Sequence, residues 1–484
     1  MSPAPYALDS LQAEALTGGQ WHGRPKQVII RGAAVDSRQV RDGMLFVCLS
    51  GARVDGHDFA ATAAGDGAVL ILAERPVVAP VPVLVVDNVE AAFGQLAADF
   101  RRRFTGATWI GVAGANGKTT VKELIAAACS EEAQTHATAG NRNNHLGVPL
   151  TIFATPEKAR WCIIELGANK GGEIAELAAI VQPDVGVCTS IGPAHLEGYG
   201  DLFGVAEGEG AVFAAVKAGG PCLFGREGLN AVAAGGGVVA ADLEAVVHRL
   251  AMGRELVVVG SDACPVTGET RSDGIDMVCG EGRVRLPLLG QHNLANAHLA
   301  WRAAIAAGVI PEVALRGLKT VVPVPGRLRL IPLSSGHRLF DDCYNANPAS
   351  MRAGLEELSR QCGARLAVLG AMGELGAKAD EMHRQLGAEA ARFGLPILVV
   401  GTELAAAIAE GYVATGGRDW CQVSDHEQAL DFIAQRFAVG TTALLVKASR
   451  AAGLDRVVSH LAEHYPQPVA ERGTGSSPLR AIPC

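Results

Sequence analysis

Residues 111–120 read GVAGANGKTT, an order of glycines, lysine and hydroxyls that can cradle phosphate groups. Such a loop works through backbone N–H donors, a lysine that neutralises charge, and a hydroxyl that can reach Mg²⁺. The common spacing, G-x-x-x-x-G-K-[ST], asks for glycine at position 112, but Val112 stands there. Gly114 lies three residues before Gly117 instead. The loop is therefore a shortened form. Its expected nucleotide-binding residues are Gly114, Ala115, Asn116, Gly117, Lys118, Thr119 and Thr120.

Two more residues fall where they could join this chemistry. WCIIELG places Glu165 at the carboxyl end of an apolar strand, and DVGVCTS-IGPAHLEGYG places His195 in the loop beyond the next one. Ligands of open parallel sheets bind outside the carboxyl ends of the strands, so these side chains should converge on Lys118. Thr119, Glu165 and His195 are the expected Mg²⁺ ligands. The stretch HATAGNRNNHLGVPLTIF (136–153) is polar, with Arg142 as its charged residue. It reads either as a turn-rich connection or as a loop that hydrogen-bonds an extended polar substrate. GAMGELG (370–376) departs from the dinucleotide spacing G-x-G-x-x-G and reads as a strand-to-helix turn, not a nicotinamide site.

The elements that must hold these residues are legible as a rhythm. TWIGVAG leads into KTTVKELIAAACSEEA, WCIIELG into GGEIAELAAIV, and DVGVCTS into a polar loop and another helix. Alternating strands and helices give a parallel, doubly wound sheet. Before it, short apolar runs from QVIIRGAAVDSR to VPVLVVDN form a small mixed α/β domain that ends in the helical NVEAAFGQLAADFRRRF. Arg101, Arg102 and Arg103 are expected to close that helix at a domain border. The apolar stretch 68–86 is broken by Glu74, Arg75, Pro76, Pro80 and Pro82, so it reads as two short strands joined by a turn, not a membrane helix. A Gly-rich stretch (218–238) and a strand-rich stretch (254–288) precede the helix NLANAHLAWRAAIAAG. After the proline-dense VVPVPGR (321–327) the βα rhythm returns in HRLFDDCYN, ARLAVLGAM, PILVVGTE and TALLVKAS. The fold class is α/β with three domains: a small N-terminal unit at 1–105, a central phosphate-loop domain with a doubly wound parallel sheet at 106–322, and a Rossmann-like C-terminal domain at 323–465. The tail 466–484 lacks periodicity and is expected to be disordered.

Composition narrows the class further. The chain has 484 residues, 49% of them hydrophobic and 19% charged, with a formal net charge of −8. That is ordinary for an enzyme with large cores, and it disfavours nucleic acid as a partner. No signal peptide or membrane helix is readable at the start. The 11 cysteines are scattered without metal spacing, so a reduced, cytoplasmic chain with thiols serving as small apolar residues is expected.

On these residues the chain resembles the Mur ligases. GANGKTT is the form of phosphate loop that family uses. TAGNRNNHLGVPLT, IIELGANKGGEI, AHLEGYG, GQHNLANA, PVPGRL, DDCYNANPASM and GAMGELG are also similar to the family, from about residue 30 to 460 in one order. VDSRQVRDGMLFVCLSGARVDGHDF looks like its uridine-nucleotide segment, and the D-N-P-R string of a sister ligase is absent. The resemblance implies an ATP- and Mg²⁺-dependent amide ligase. Its substrates would be UDP-N-acetylmuramoyl-tripeptide and D-alanyl-D-alanine, joined through an acyl phosphate in cytoplasmic wall-precursor synthesis, and the chain is expected to act as a monomer. By resemblance, Asn293 and Asn296 contact adenine, while Arg327, Asp342, Tyr344 and Asn345 close over the nucleotide. Ser37 and Arg38 face the uridine diphosphate, and Asn143 and Asn144 the sugar-peptide.

One position departs from the family. After HLEGYG the family carries a lysine in a K-G-E string, modified by CO₂ to a carbamate that supports a second Mg²⁺. GVAEGEGAVF (204–213) puts Glu209 at the lysine and Ala211 at the glutamate position. The implied catalytic set is Lys118, Glu165, His195, Arg327 and, if its carboxylate replaces the carbamate, Glu209. The other reading of Glu209 is a solvated helix residue beside Glu207. Two other functions stay open at this level: a phosphate-loop kinase or nucleotide switch, and a non-catalytic relative that binds UDP-sugar-peptide.

Overall fold

Runs of apolar residues flanked by Gly and Asn become the buried strands at the centre of the protein. In the computed structural model, which describes residues 8–23, 26–51, 54–230, 237–440 and 442–467, six strands form one parallel sheet. Their spatial order is Glu255–Val259, Pro221–Gly225, Val185–Cys188, Thr108–Ala113, Trp161–Glu165 and Thr135–Ala137. Thr108–Ala113 lies in the middle with Trp161–Glu165 on one side and Val185–Cys188 on the other, so the chain reverses its winding at the carboxyl end of that strand. Such a reversal opens a crevice there. Helices Lys118–Ser130 and Gln291–Ala306 cover one face, where Val121, Leu124, Ile125, Leu294 and Ala297 join the core. The strand-rich stretch resolves into the sheet's edge strand plus a separate antiparallel sheet, Gly268–Arg271, Gly274–Cys279 and Gly282–Leu286, packed on that same core.

The N-terminal sheet has five strands in the order Gln20–His22, Val83–Val85, Ala68–Ala73, Met44–Val47 and Gly32–Ala34. Here one expectation fails. Ala68–Ala73 and Val83–Val85 are parallel, with Ile71 opposite Val83, so the proline-bearing segment 74–82 is a crossover and not a hairpin turn. Glu74 is taken up by structure beyond the strand: its carboxylate accepts from Val89 N–H at 3.0 Å and caps the approach to helix Val89–Arg102. The arginines at the end of that helix do more than close it. Arg101 donates to the carbonyls of Val181 and Gln182 at 2.7 and 2.6 Å, a cation seated on the C-terminus of the central helix Glu173–Val181.

The C-terminal sheet runs Arg329–Pro332, Arg338–Asp342, Thr442–Lys447, Ala364–Leu369, Ile397–Val400 and Trp420–Val423, parallel except for its first strand. Both edge strands, Arg329–Pro332 and Trp420–Val423, go beyond the expected rhythm. Most of the expected disordered tail, and part of the Gly-rich stretch, lie outside the described residues. The cysteines between 48 and 343 are free and buried; burial pushes the thiols of Cys129 and Cys162 up to about 12. No helix among the described residues is long and apolar enough to cross a membrane.

Candidate active site

The phosphate loop is shaped by its two glycines. Gly114 has φ of 130° and Gly117 of 84°, both in the region that favours glycine. A Cβ on Gly114 would collide with Thr189 Oγ1, and one on Gly117 would come within 2.8 Å of Asn296 Oδ1. Gly117 then caps the helix Lys118–Ser130, whose first-turn N–H groups have no intrahelical acceptor and point into the crevice. The front half of the loop is committed to the protein itself. Gly114 N–H donates to Glu209 Oε2 at 2.7 Å, Ala115 N–H to the Ser190 carbonyl at 2.9 Å, and Asn116 N–H to Ser190 Oγ at 3.0 Å. This differs from a loop in which every amide faces phosphate; the donors left for an anion are those from Gly117 to Thr120.

Lys118 curls back onto the Gly114 carbonyl, with its ammonium 3.9 Å from Glu209 Oε1. Beside it, Thr119 Oγ1 donates to Glu165 Oε1 at 3.2 Å, and Asn143 Nδ2 donates to the same oxygen at 2.8 Å. Glu165 N–H donates to Thr138 Oγ1 at 3.0 Å, which fixes the strand end. The other oxygen, Glu165 Oε2, is buried without a hydrogen-bond partner. A buried carboxylate oxygen of this kind is costly alone and suited to a hard cation, so the donor set fits Mg²⁺ at Thr119 and Glu165.

These groups line one cavity of about 1360 Å³ between the central and C-terminal sheets. From the central side it collects Ala115 to Thr120, Asn143, Asn144, Glu165, His195, Asn293 and Asn296. From the C-terminal side come Arg327, Asp342, Tyr344 and Asn345. Asn144 also holds the turn that leads into helix Gly147–Phe153, its side-chain oxygen accepting from Gly147 N–H at 2.9 Å. Asn293 donates to the Leu289 carbonyl at 2.8 Å and accepts from Asn296 at 3.0 Å, which sets Asn296 over Gly117. The Arg327 guanidinium lies 4.2 Å from the centre of the Tyr344 ring, a cation–π stack that holds it at the rim.

Several expected residues lie elsewhere. Ser37 and Arg38 occupy a turn of the N-terminal sheet domain and do not line the cavity; Arg38 is paired with Asp36 at 2.7 Å. Gly114 and Glu209 stand behind the loop. Glu209 is not a solvated helix residue, for it is fully buried. Among the cavity residues that sequence reasoning missed, three titratable ones stand out. Lys447, at the carboxyl end of its strand, pairs with Asp342 at 2.7 Å. Glu374, from GAMGELG, lies 2.5 Å from His195 Nδ1. His292 is held neutral by burial and by the nearby Lys447 and Arg360 cations, its pKa down to about 4. Only Lys447 had a readable signal, a charged residue ending an apolar strand in the manner of Glu165.

Comparison with known proteins finds family models along three stretches of the chain. The Mur ligase family, catalytic domain profile covers residues 29–101, the Mur ligase middle domain 112–304, and the Mur ligase, glutamate ligase domain 326–450. UDP-N-acetylmuramoyl-tripeptide--D-alanyl-D-alanine ligase of Escherichia coli is 34% identical over 443 residues, covering 90% of this chain and 95% of that protein. The Bacillus subtilis ligase of the same name is 32% identical, covering 93% and 97%. Among solved structures, MurF from Acinetobacter baumannii has a TM-score of 0.83 at 30% identity, covering 94% of this chain and 99% of that one. MurF from Thermotoga maritima in complex with ADP has a TM-score of 0.76 at 27% identity, covering 90% and 97%. The chain belongs to the Mur ligase family.

Proposed function

We propose that this chain joins D-alanyl-D-alanine to UDP-N-acetylmuramoyl-tripeptide while cleaving ATP to ADP and phosphate. The observation that carries this reading is the cavity itself. It brings Lys118, Thr119 and Glu165 face to face with Arg327, Asp342 and Tyr344, in a chain similar to such ligases along nearly its whole length.

The chemistry follows from what each group can do. The N–H groups of the first turn after Gly117 receive the phosphates, and Lys118 leaves the Gly114 carbonyl to neutralise their charge. The terminal carboxylate of the tripeptide attacks the γ-phosphorus, ADP departs, and an acyl phosphate remains. The amine of D-alanyl-D-alanine then attacks the acyl carbon, loses a proton and expels phosphate. Thr119 and Glu165 would hold Mg²⁺, and His195, which lines the same cavity, would be the ligand for a second cation; such ions would supply charge neutralisation at the transferring phosphoryl group. Arg327 adds positive charge from the C-terminal side. The N-terminal sheet, through Ser37 and Arg38, takes the uridine diphosphate, with Asn143 and Asn144 nearer the sugar-peptide. A cytoplasmic reaction fits this reading, since its substrates are water-soluble and nucleotide-linked.

The test is ADP release, which should require both the UDP-tripeptide and the dipeptide. With the dipeptide withheld, hydroxylamine should trap the tripeptide as a hydroxamate. Release of AMP and pyrophosphate would exclude the acyl-phosphate route.

A further inference from the structure

Glu209 is a fully buried carboxylate that the steps above do not use. It sits near the end of helix Leu202–Gly210, directly behind the phosphate loop. Its contacts with polar groups lead to the loop or to the wall beside it. Oε2 accepts from Gly114 N–H at 2.7 Å; Oε1 lies 3.4 Å from the Tyr199 hydroxyl and 3.9 Å from the Lys118 ammonium. Burial and the Glu209 charge both push the Tyr199 phenol above its ordinary range, so it stays a donor. Space is tight enough to hold this geometry. A Cβ on Gly208 would collide with the Tyr199 ring, and Gly114 has no room for one beside Thr189.

A carboxylate removed from water is tolerated only with partners, and here the partners are a loop amide, the loop lysine and a phenol. Glu209 does not line the cavity, so it cannot touch a nucleotide there. We propose that Glu209 is a positioning residue of the phosphate loop: it clamps the Gly114 N–H from behind and sets the resting place of Lys118. The loop is thereby held open for phosphate before any ligand arrives, and the Gly114 amide is kept from turning into the site, as Ser190 keeps those of Ala115 and Asn116. A charge-assisted bond to a backbone N–H is among the stronger neutral-to-ion contacts, which suits a clamp on a glycine with few steric limits of its own.

The inference rests on the reading of the cavity as a nucleotide site, and the two can fail separately. Titrate the full-length protein with ADP in the absence of divalent metal, by calorimetry, for wild type, Glu209→Ala and Glu209→Gln. Wild type that binds no ADP would remove the nucleotide reading. Given wild-type binding, Glu209→Ala should lose roughly tenfold or more in affinity, the size of a lost charge-assisted bond. Glu209→Gln, whose carbonyl can still accept from Gly114, should stay within about threefold of wild type because the clamp geometry survives. In turnover at saturating ATP, the Mg²⁺ concentration for half activity should be unchanged in both. Should Glu209→Ala not fold, the isosteric variant still decides. The amide proton of Gly114, deshielded by a carboxylate, should move upfield in Glu209→Gln. An unmoved Gly114 resonance overturns the clamp. So does unaltered ADP binding in a folded Glu209→Ala protein, or a raised Mg²⁺ requirement with ADP binding intact.

Discussion

The side-chain amide of Asn347 donates to the side-chain oxygen of Asn116 at 2.7 Å, tying the start of a C-terminal helix to the phosphate loop across 231 residues of sequence. Asn347 caps that helix, Pro348–Ser359, through a capping box with Ser350, so its position is set before it meets the loop. Two further contacts lie nearby: Glu374 with His195 at 2.5 Å, and Gly376 N–H with Glu197 at 3.1 Å. These polar contacts join the C-terminal sheet to the central one around the cavity, and Leu289 adds an apolar contact by packing into the C-terminal core.

The polar part of this contact can be removed by substitution, which leaves the apolar seat of Leu289 in place. Asn347→Ala combined with Glu374→Ala should enlarge the radius of gyration of the ligand-free protein, and ADP with the UDP-substrate should draw it back. Small-angle scattering makes the comparison. Profiles of the variant and wild type that superimpose in the free state would show that these bonds do not hold the arrangement.

Lys118→Ala should lower kcat by about 100-fold or more, since the residue acts on developing phosphoryl charge. Binding of the UDP-substrate should persist, because Ser37 and Arg38, the residues proposed to take its uridine diphosphate, lie in a turn of the N-terminal domain away from Lys118. Calorimetry that shows both ligands lost would point to misfolding instead.

The parts of this site that could be read in the sequence are those set by local pattern. Thr108–Ala113 and Trp161–Glu165 are apolar runs ended by functional residues, and periodicity alone puts Lys118 and Glu165 at one sheet edge. Asn347 against Asn116 and Glu374 against His195 arise only when two domains approach, and nothing in the spacing of either segment encodes that approach. The edge strands Arg329–Pro332 and Trp420–Val423 escaped notice because they are short and only half-buried, so the full burial that makes a strand a continuous apolar run is missing. Glu209 could be singled out by its departure from the family, but its burial depends on helix Leu202–Gly210 packing behind the loop.

Glu357, on the helix that Asn347 caps, offers a pH-dependent test of stability. Its carboxyl is buried, with the Arg360 guanidinium 3.9 Å from Oε2 but no hydrogen bond to that oxygen, and desolvation raises its pKa from 4.5 to about 7. The folded state therefore holds a proton that the unfolded chain gives up at lower pH. Its contribution is fully present below about pH 4.5 and is lost as pH rises through about 7. Glu357→Gln should remove this slope, leaving the variant more stable than wild type at pH 8 by roughly 1–3 kcal/mol and nearly equal at pH 4.5. Denaturant midpoints at the two pH values measure it. A constant difference between the proteins at both would show that Glu357 does not titrate in this range.

Bicarbonate provides the last test, and it turns on the charge behind the phosphate loop. Wild type carries a carboxylate there that needs no CO₂, so added bicarbonate should change neither turnover nor ADP affinity. Glu209→Lys reverses the sign: an ammonium would be buried near the Lys118 ammonium and opposite an N–H donor that it cannot satisfy. Both effects oppose folding and nucleotide binding, and burial also favours the neutral amine. A neutral amine is the form that adds CO₂, and the carbamate that results returns a negative oxygen pair to the pocket. Thermal midpoint and metal-free ADP affinity of Glu209→Lys should therefore both fall, then recover in part as bicarbonate is added. If bicarbonate leaves the variant unchanged while stimulating wild type, the carboxylate of Glu209 does not fill that place.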